Sequence, residues 1–262
     1  MSRLLDELKR VARSVPQPMG FKTTRPASSE PRVLLIASLA ARVDTDRQAD
    51  GADAVLLRLT KSQLTAKALQ KIASSIPDIP WGIWLEDAAA GKMETLVEAG
   101  CDFVVFPPTS QVSATPQDDK VGKILQVESS LSDGLLRAVN DLPVDAVLNI
   151  DVCKAGDAIA WHHLMLLQRL SNLLTKPLLV SVTLPITADE LKTLWEAGVD
   201  GVVIEAGTEA PAGGLRELRQ AIGKLTFRRS RKWGKAEALL PRISSTTNAE
   251  PEEQEEEEDE GE

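Results

Sequence analysis

Short apolar runs rich in β-branched residues recur along the chain and form its most regular pattern. Four of them follow a Gly- or Pro-x-Asp signature, at Gly51-Ala52-Asp53, Gly100-Cys101-Asp102, Pro143-Val144-Asp145 and Gly198-Val199-Asp200. These signatures begin 49, 43 and 55 residues apart, and another apolar run precedes each of them, at 31–36, 80–85, 123–127 and 177–182. Glycine supplies the left-handed residue that ends a helix, and aspartate can fix the turn that follows it. The pattern therefore predicts eight buried strands in a unit of two strands that occurs four times.

Segments with apolar residues at helical spacing lie between most of these strands. They are 62–76, 87–99, 132–142, 157–174, a segment opened by a Thr187/Glu190 capping box, and 215–225. The connections at 40–50 and 107–122 are only weakly helical, and the prolines of the second favour a loop. Strands that alternate with helices through short connections are parallel and have right-handed crossovers. Eight of them predict an α/β fold, a (β/α)8 TIM barrel with a weak or missing fourth helix.

The chain divides into four predicted parts. Residues 1–30 form an N-terminal helix and a linker, 31–226 the barrel, 227–243 a basic segment and 244–262 a disordered acidic tail. Leu4, Leu5, Leu8 and Val11 fall on one face of the leading helix. We expect that face to pack on the barrel, and the alternative is a helix that binds a partner.

Charge is distributed very unevenly. The net charge is −9, but ten acids lie between 250 and 262. Residues 224–242 carry seven basic residues and one acid, a local +6, which leaves about −5 for residues 1–223. The body is therefore not expected to bind nucleic acid. A like-charge tail is expected to be disordered. The basic segment is compatible with contact to a polyanion or an anionic lipid, or with shielding by the tail.

Cys101 and Cys153 are expected at opposite ends of the sheet, farther apart than a disulfide tolerates. Free thiols fit a reducing cytoplasm. The N-terminal residues have scattered charges and no apolar core of signal-peptide length, and no apolar run reaches the length of a transmembrane helix. We therefore expect a cytoplasmic protein.

The segment 157–174 is apolar nearly all round, with Trp161, Leu164 and Met165 widening its apolar stripe. A helix of this kind is normally covered on both sides. Either the leading helix or a second subunit, in a homodimer, is expected to cover it.

Polar residues in otherwise apolar strands mark candidate chemistry at the carboxyl ends of the strands, where barrels of this class hold their active sites. The catalytic candidates are Glu86, Glu128, Asp151, Glu205 and Lys154, and the candidate ligand-binding side chains are Arg58, Asn149 and Thr183. The carboxylates and Asn149, with Arg58, Ser38, Ser181 and Thr183, are expected to point into the barrel. Arg58 is expected to form a buried ion pair with at least one of Glu86, Glu128 and Glu205, since unpaired buried charges are costly. The group is either an acid/base site or an ion-pair network that closes the barrel.

Two other kinds of chemistry are less supported. No HxH, CxxC or DxD spacing occurs among these candidate residues, so we predict no metal site. Lys154 would form a Schiff base only if desolvated, and a solvated or ion-paired loop lysine is the alternative.

Glycines follow the last strand, at Gly207, Gly213 and Gly214, immediately before a helix. Free backbone N–H groups and the helix dipole make this segment a candidate anion cradle. Alternatively, the glycines only end a strand and start a helix. With the G-x-D signatures, the segment Gly198-Val199-Asp200-Gly201-Val202-Val203-Ile204-Glu205-Ala206-Gly207 resembles the last quarter of phosphate-binding TIM barrels. That superfamily includes indole-glycerol-phosphate, phosphoribosyl-isomerase and FMN-dependent enzymes. The resemblance implies a phosphate between the loops after strands seven and eight, although Thr183-Leu184-Pro185-Ile186-Thr187 lacks the usual glycine and Glu209 adds a negative charge.

Two functions remain open from the sequence. The first is a barrel that binds a small anionic metabolite, a phosphorylated one included, or a flavin. Such a barrel would act as a lyase or isomerase by proton transfer, or as an FMN-dependent oxidoreductase. The second is a non-catalytic scaffold that binds partners through its leading helix, the helix at 157–174 and the charged tail.

Overall fold

Eight parallel strands form a closed barrel in the computed structural model, in the order of the chain. The structure describes residues 2–12, 33–40, 49–59, 65–76, 78–85, 93–116, 120–153, 158–205 and 214–224. The strands are β1 Leu34–Ala40, β2 Ala54–Arg58, β3 Trp81–Trp84, β4 Phe103–Phe106, β5 Gly122–Val127, β6 Ala146–Asn149, β7 Leu178–Thr183 and β8 Gly201–Glu205. The predicted (β/α)8 barrel is confirmed.

Seven α-helices are present among the described residues. They are α1 Arg3–Ala12, α2 Ala66–Ser74, α3 Met93–Glu98, α4 Asp133–Ala138, α5 Trp161–Leu173, α6 Ala188–Glu196 and α7 Gly214–Ile222. Between β4 and β5 the described part of the connection holds only a 3-10 turn, Val112–Ala114, which agrees with the weak fourth helix. The capping box at α6 is also present, with Thr187 and Glu190 bonded reciprocally. None of the helices in the described part is long and apolar enough to cross a membrane. The basic segment and the acidic tail lie outside the described residues.

The aspartates of the repeated signature connect neighbouring strands. Asp53 accepts a hydrogen bond from the backbone N–H of Leu35 (2.8 Å), and Asp200 accepts one from Leu178 (2.8 Å). Asp145 does the same for Lys123 (3.1 Å). Each of these carboxylates lies before one strand and bonds the start of the strand that precedes it in the barrel. The signature therefore fixes the relative position of neighbouring strands as well as the turn that contains it.

Asp102 has a different partner, the N-terminus of α1. Its carboxylate accepts hydrogen bonds from the backbone N–H groups of Arg3 (2.7 Å) and Leu4 (3.0 Å) and from Ser2 Oγ (2.6 Å). A carboxylate at this position satisfies otherwise unpaired amides and complements the helix dipole. A distant side chain thus caps α1 and holds it at the N-terminal end of the barrel.

The apolar face of α1 is buried there. Leu4, Leu5 and Leu8 are almost completely inaccessible to solvent. A Cβ placed on Gly122 would lie 2.4 Å from Leu5 Cδ1, so the glycine is what lets the helix approach β5. The expected packing of the leading helix on the barrel is confirmed, and a partner-binding role for its apolar face is wrong because the barrel already covers that face.

The outer face of α5 remains uncovered. The side chains of Trp161 and Met165 are 83% and 71% exposed. The expectation that the leading helix covers this surface is wrong, because α1 lies against the N-terminal ends of the strands instead. Coverage by a second subunit stays a prediction.

Candidate functional site

Strand register places most of the predicted polar column on one face of the sheet. Glu205 is paired with Ser38 and with Thr183, and Arg58 is paired with Trp84. Residues side by side in this register share a face. Arg58 and Glu205 contact each other although β1 lies between their strands. Side chains converge inside a closed barrel and diverge outside it, so this face lines the interior.

Arg58 and Glu205 form the centre of the candidate site. An Arg58 guanidinium nitrogen, Nη2, donates to Glu205 Oε1, and Ser181 Oγ lies 3.5 Å from the same oxygen. The Arg58 guanidinium carbon lies 4.7 Å from the centroid of the Trp84 ring, within the range of a cation–π contact. The expected pairing of Arg58 with one of three glutamates is confirmed for Glu205. We call Arg58, Trp84, Ser181, Thr183 and Glu205 the mouth site.

The mouth site is open to solvent rather than buried. The side chains of Arg58 and Glu205 are 43% and 37% exposed. The expected buried ion pair is therefore wrong in its burial, because Arg58 and Glu205 are the last residues of their strands, where the barrel opens to solvent. An exposed pair contributes little to stability, whereas an accessible, oriented guanidinium can bind a ligand.

The other two described carboxylates have local partners. Glu128 is exposed and accepts a hydrogen bond from Ser130 Oγ (3.1 Å). Asp151 accepts from both the backbone N–H (2.9 Å) and Oγ (2.7 Å) of Ser129. Within the described part of the chain, neither carboxylate contacts Arg58. Asp151 connects the end of β6 to the loop that follows β5.

Asn149 lies on the other face of the sheet. It is paired with Val180, the neighbour of Ser181, so it cannot share a face with Ser181 and Thr183. Its amide donates to Asp151 Oδ1 (2.6 Å), and its Oδ1 accepts from the N–H of Val152 (3.1 Å). The expectation that Asn149 points into the barrel is wrong: both faces of β6 are buried, and a polar residue at its end serves the adjoining loop.

Several predicted site residues lie outside the described residues. These are Glu86, Lys154, Gly207 and Gly213. Gly214 is described and is the first residue of α7. The anion cradle after β8 therefore remains a prediction.

Two residues on the lining face were not selected from the sequence. Trp84, nearly buried, lies beside Arg58, and Gln126, half-buried, is paired with Leu148 on the face that continues to Ser181. The signal for both was available, since Trp84 and Gln126 each precede a candidate glutamate by two residues. A large aromatic residue in a predicted strand is normally assigned to the hydrophobic core, so its residue type did not mark Trp84 as a site residue.

Metal-ligating and thiol chemistry find little support in the described residues. No group of three His, Cys, Asp or Glu side chains among them is arranged to hold a metal ion. Cys101 and Cys153 are free, as expected, and both are buried. Burial raises the pKa of Cys101 to about 12, and burial, with the nearby charge of Glu190, raises the pKa of Cys153 to about 11. Neither thiol is suited to act as a nucleophile near neutral pH.

Comparison with known proteins gives a likeness of structure alone. No family model matches the chain, and no curated protein matches it in sequence. A chain of the tryptophan synthase complex from Pyrococcus furiosus superposes with a TM-score of 0.55 at 13% identity, covering 74% of this chain and 99% of that one. A mutant tryptophan synthase alpha-subunit from the same organism gives 0.54 at 14% identity, with 74% and 98% covered. A 3-hexulose-6-phosphate synthase gives 0.52 at 17% identity, with 72% and 100% covered. The predicted resemblance is thus confirmed at the level of the TIM-barrel fold.

Proposed function

We propose that this barrel binds a small anionic metabolite at its mouth site, with Arg58 as the principal ligand. The observation that carries the proposal is the state of the Arg58 side chain. Glu205 and Trp84 orient its guanidinium, yet 43% of the side chain is accessible. Arginine presents five N–H donors in a planar fork that matches carboxylate and phosphate groups. Because the Arg58 guanidinium is already held in place and is open to solvent, it loses little conformational entropy when an anion binds.

A phosphorylated metabolite is the favoured class of ligand. The sequence predicts an anion cradle at Gly207, Gly213 and Gly214, after β8. Thr183 is the last residue of β7, the neighbouring strand in the barrel. The name of the similar 3-hexulose-6-phosphate synthase refers to a sugar phosphate. Arg58 and the cradle would hold one anionic group each, or share one phosphate.

Glu205 is the acid/base candidate of the proposed site. Its carboxylate accepts a hydrogen bond from Arg58, so an anion bound to the same guanidinium would lie beside it. A carboxylate within reach of a bound substrate is the kind of group that carries the proton transfers of a lyase or isomerase. Catalysis itself rests on analogy of fold.

The test is a binding measurement with matched ligands and variants. We expect a panel of sugar phosphates to bind by calorimetry and to change tryptophan emission through Trp84, while the unphosphorylated sugars do not bind. R58Q should lower the affinity at least tenfold, the scale of one charge-assisted contact. R58K keeps the positive charge but lacks the planar guanidinium, so its affinity should lie between those of R58Q and the unaltered protein. Equal affinity of R58Q and the unaltered protein would remove Arg58 from the site.

A flavin is a second ligand to be tested. FMN carries a phosphate that the same groups could hold. The visible absorption spectrum of the purified protein, before and after incubation with FMN and gel filtration, decides this point. A spectrum without retained flavin would restrict the proposal to colourless metabolites.

The second candidate function is a non-catalytic scaffold. The exposed Trp161 and Met165 on α5 favour it, because large apolar side chains at adjacent turns of a helix often mark an interaction surface. Failure of every metabolite in the panel to bind, together with association that depends on Trp161, would favour the scaffold over the enzyme.

A further inference from the structure

One layer of inward side chains lies inside the barrel just below the Arg58–Glu205 pair. In barrels of this class the inward side chains form layers of four, contributed by alternate strands. With eight strands and a shear of about 8, the strands are staggered by about one residue each. The residue at equal height two strands further on therefore lies two positions beyond the register partner. Counted in this way through β1, β3, β5 and β7, the layer consists of Ser38, Trp84, Gln126 and Ser181. The next step from Ser181 returns to Ser38, so the layer is a closed ring, which we call the floor layer.

The floor layer is polar, whereas the two layers beneath it are apolar. Ser38, Gln126 and Ser181 each carry a neutral polar group. The same counting gives the layers beneath as Leu56, Val105, Leu148 and Val203, and then Ile36, Gly82, Ile124 and Leu179. Branched apolar residues normally fill such a barrel. Three polar side chains in one layer therefore do more than fill the core.

The polar groups of the floor layer have few partners inside the protein. Within the described residues, no hydrogen-bond partner is present for Ser38 Oγ, although Ser38 is only 5% exposed. In the same part of the chain the side-chain amide of Gln126, which is half-buried, has no partner either. Ser181 Oγ has one long contact, 3.5 Å to Glu205 Oε1. Buried polar groups are normally hydrogen-bonded, and an unpaired one costs stability. These groups are therefore available to a ligand that enters the barrel mouth.

The floor layer and the charged pair above it belong to one site. Ser38 is the register partner of Glu205, and the Trp84 ring lies 4.7 Å from the Arg58 guanidinium carbon. A ligand that places an anionic group on Arg58 therefore extends its neutral part toward the floor layer. Serine hydroxyls and the glutamine amide both donate and accept hydrogen bonds. A ligand hydroxyl also does both, so it is the group that this layer fits.

We propose that the floor layer binds hydroxyl groups of the ligand whose anionic group binds Arg58, with Gln126 and Ser38 as the specificity-determining residues. This inference rests on the function proposed above. A site built to hydrogen-bond a hydroxyl rejects the analogue that lacks it, because the polar groups of the site are then left unpaired. The preferred ligand is an anion whose charged group is attached to a hydroxylated carbon chain, and an alkyl anion of the same length binds more weakly.

The test compares glycerol 3-phosphate with propyl phosphate, which has the same charged group and chain length but no hydroxyl. Both are titrated into the full chain by calorimetry. We expect glycerol 3-phosphate to bind about tenfold more tightly. Q126L and S38A should each weaken the binding of glycerol 3-phosphate and leave that of propyl phosphate unchanged. S38A removes a single oxygen, so it keeps the test valid if Q126L does not fold.

S171A is the matched control for S38A. Ser171 is a buried serine of α5, outside the barrel interior, and its Oγ also has no partner in the described part of the chain. The same substitution there should leave the affinity ratio of the two phosphates unchanged. A fall of the ratio in S171A equal to that in S38A would overturn the proposal.

Thermal unfolding of the free protein separates ligand binding from a structural role. S38A and Q126L should keep the unfolding midpoint of the unaltered protein, because neither change breaks a hydrogen bond seen in the described residues. A lower midpoint with an unchanged affinity ratio would show that these side chains only support the fold, and would overturn the proposal.

The proposed function and this inference fail in different ways. R58Q should weaken both phosphates by the same factor and so preserve their ratio, since Arg58 binds the group that they share. Equal affinity of the unaltered protein for the two phosphates would overturn the role of the floor layer and leave that of Arg58 intact. Failure of both phosphates to bind would overturn both proposals.

Discussion

Asp102 provides the sharpest test of how the N-terminal helix is held. We expect D102A to lower the free energy of unfolding by about 2 kcal/mol. Its carboxylate accepts from two backbone amides and from Ser2 Oγ, at 2.6–3.0 Å. Loss of an N-terminal cap costs about 1 kcal/mol, and loss of a negative charge beside the helix N-terminus about 0.3–1 kcal/mol. Ser2 is only 3% exposed, so D102A would also leave its buried hydroxyl without this acceptor, which adds to the loss of free energy of unfolding.

Denaturant unfolding followed by circular dichroism gives the total effect, and hydrogen exchange gives its location. D102N keeps an acceptor without the charge, so it should cost about half as much as D102A. Amide exchange should accelerate in residues 5–12 before it does in the strands. In a chain that lacks residues 1–12, D102A should have almost no effect, because there is no helix left to cap. A loss in that shortened chain as large as in the full chain would refute the capping argument, as would a change below about 0.5 kcal/mol in the full chain.

Three further predictions concern the thiols, the exposed helix and the tail. The pKa values of Cys101 and Cys153 are raised from 9.0 to about 12 and about 11, so both thiols ionise first in the unfolded chain. Stability should therefore fall as the pH rises from 9 to 11, and the stability of a variant with both cysteines changed to alanine should fall less steeply over that range. If Trp161 and Met165 form part of a homodimer interface, light scattering should give twice the mass of one chain. Changing both residues to serine should then halve the measured mass. A monomer both before and after the change would exclude the interface. Truncation at Asn248 should raise the affinity of the protein for RNA or anionic vesicles at low salt, and it should leave the stability of the fold as it was. If the affinity does not rise, the tail does not shield the basic segment.

The sequence determined the fold of this protein to a large extent. The repeated Gly- or Pro-x-Asp signatures act locally: glycine ends a helix, and the aspartate bonds a backbone amide at the start of a strand. Alternating strands and helices then leave few ways to pair the strands. Arg58 was predicted to meet at least one of three glutamates, and it meets Glu205, 147 residues away. The prediction was possible because position at a strand end and parity within the strand follow from the local pattern.

Only the tertiary structure decided what those strand ends face. Both faces of a barrel strand are apolar, so the sequence does not show which face is inside, and the register alone places Asn149 away from Ser181. The four signatures look alike in sequence, but their aspartates have different partners. Asp53, Asp145 and Asp200 connect neighbouring strands, whereas Asp102 caps α1, a helix that is distant from it in the chain. The exposure of the Arg58–Glu205 pair depends on how the strand ends are arranged around it, and the partners of Asp102 depend on where α1 docks. These features arise from contacts between distant segments, and no local pattern of residues encodes them.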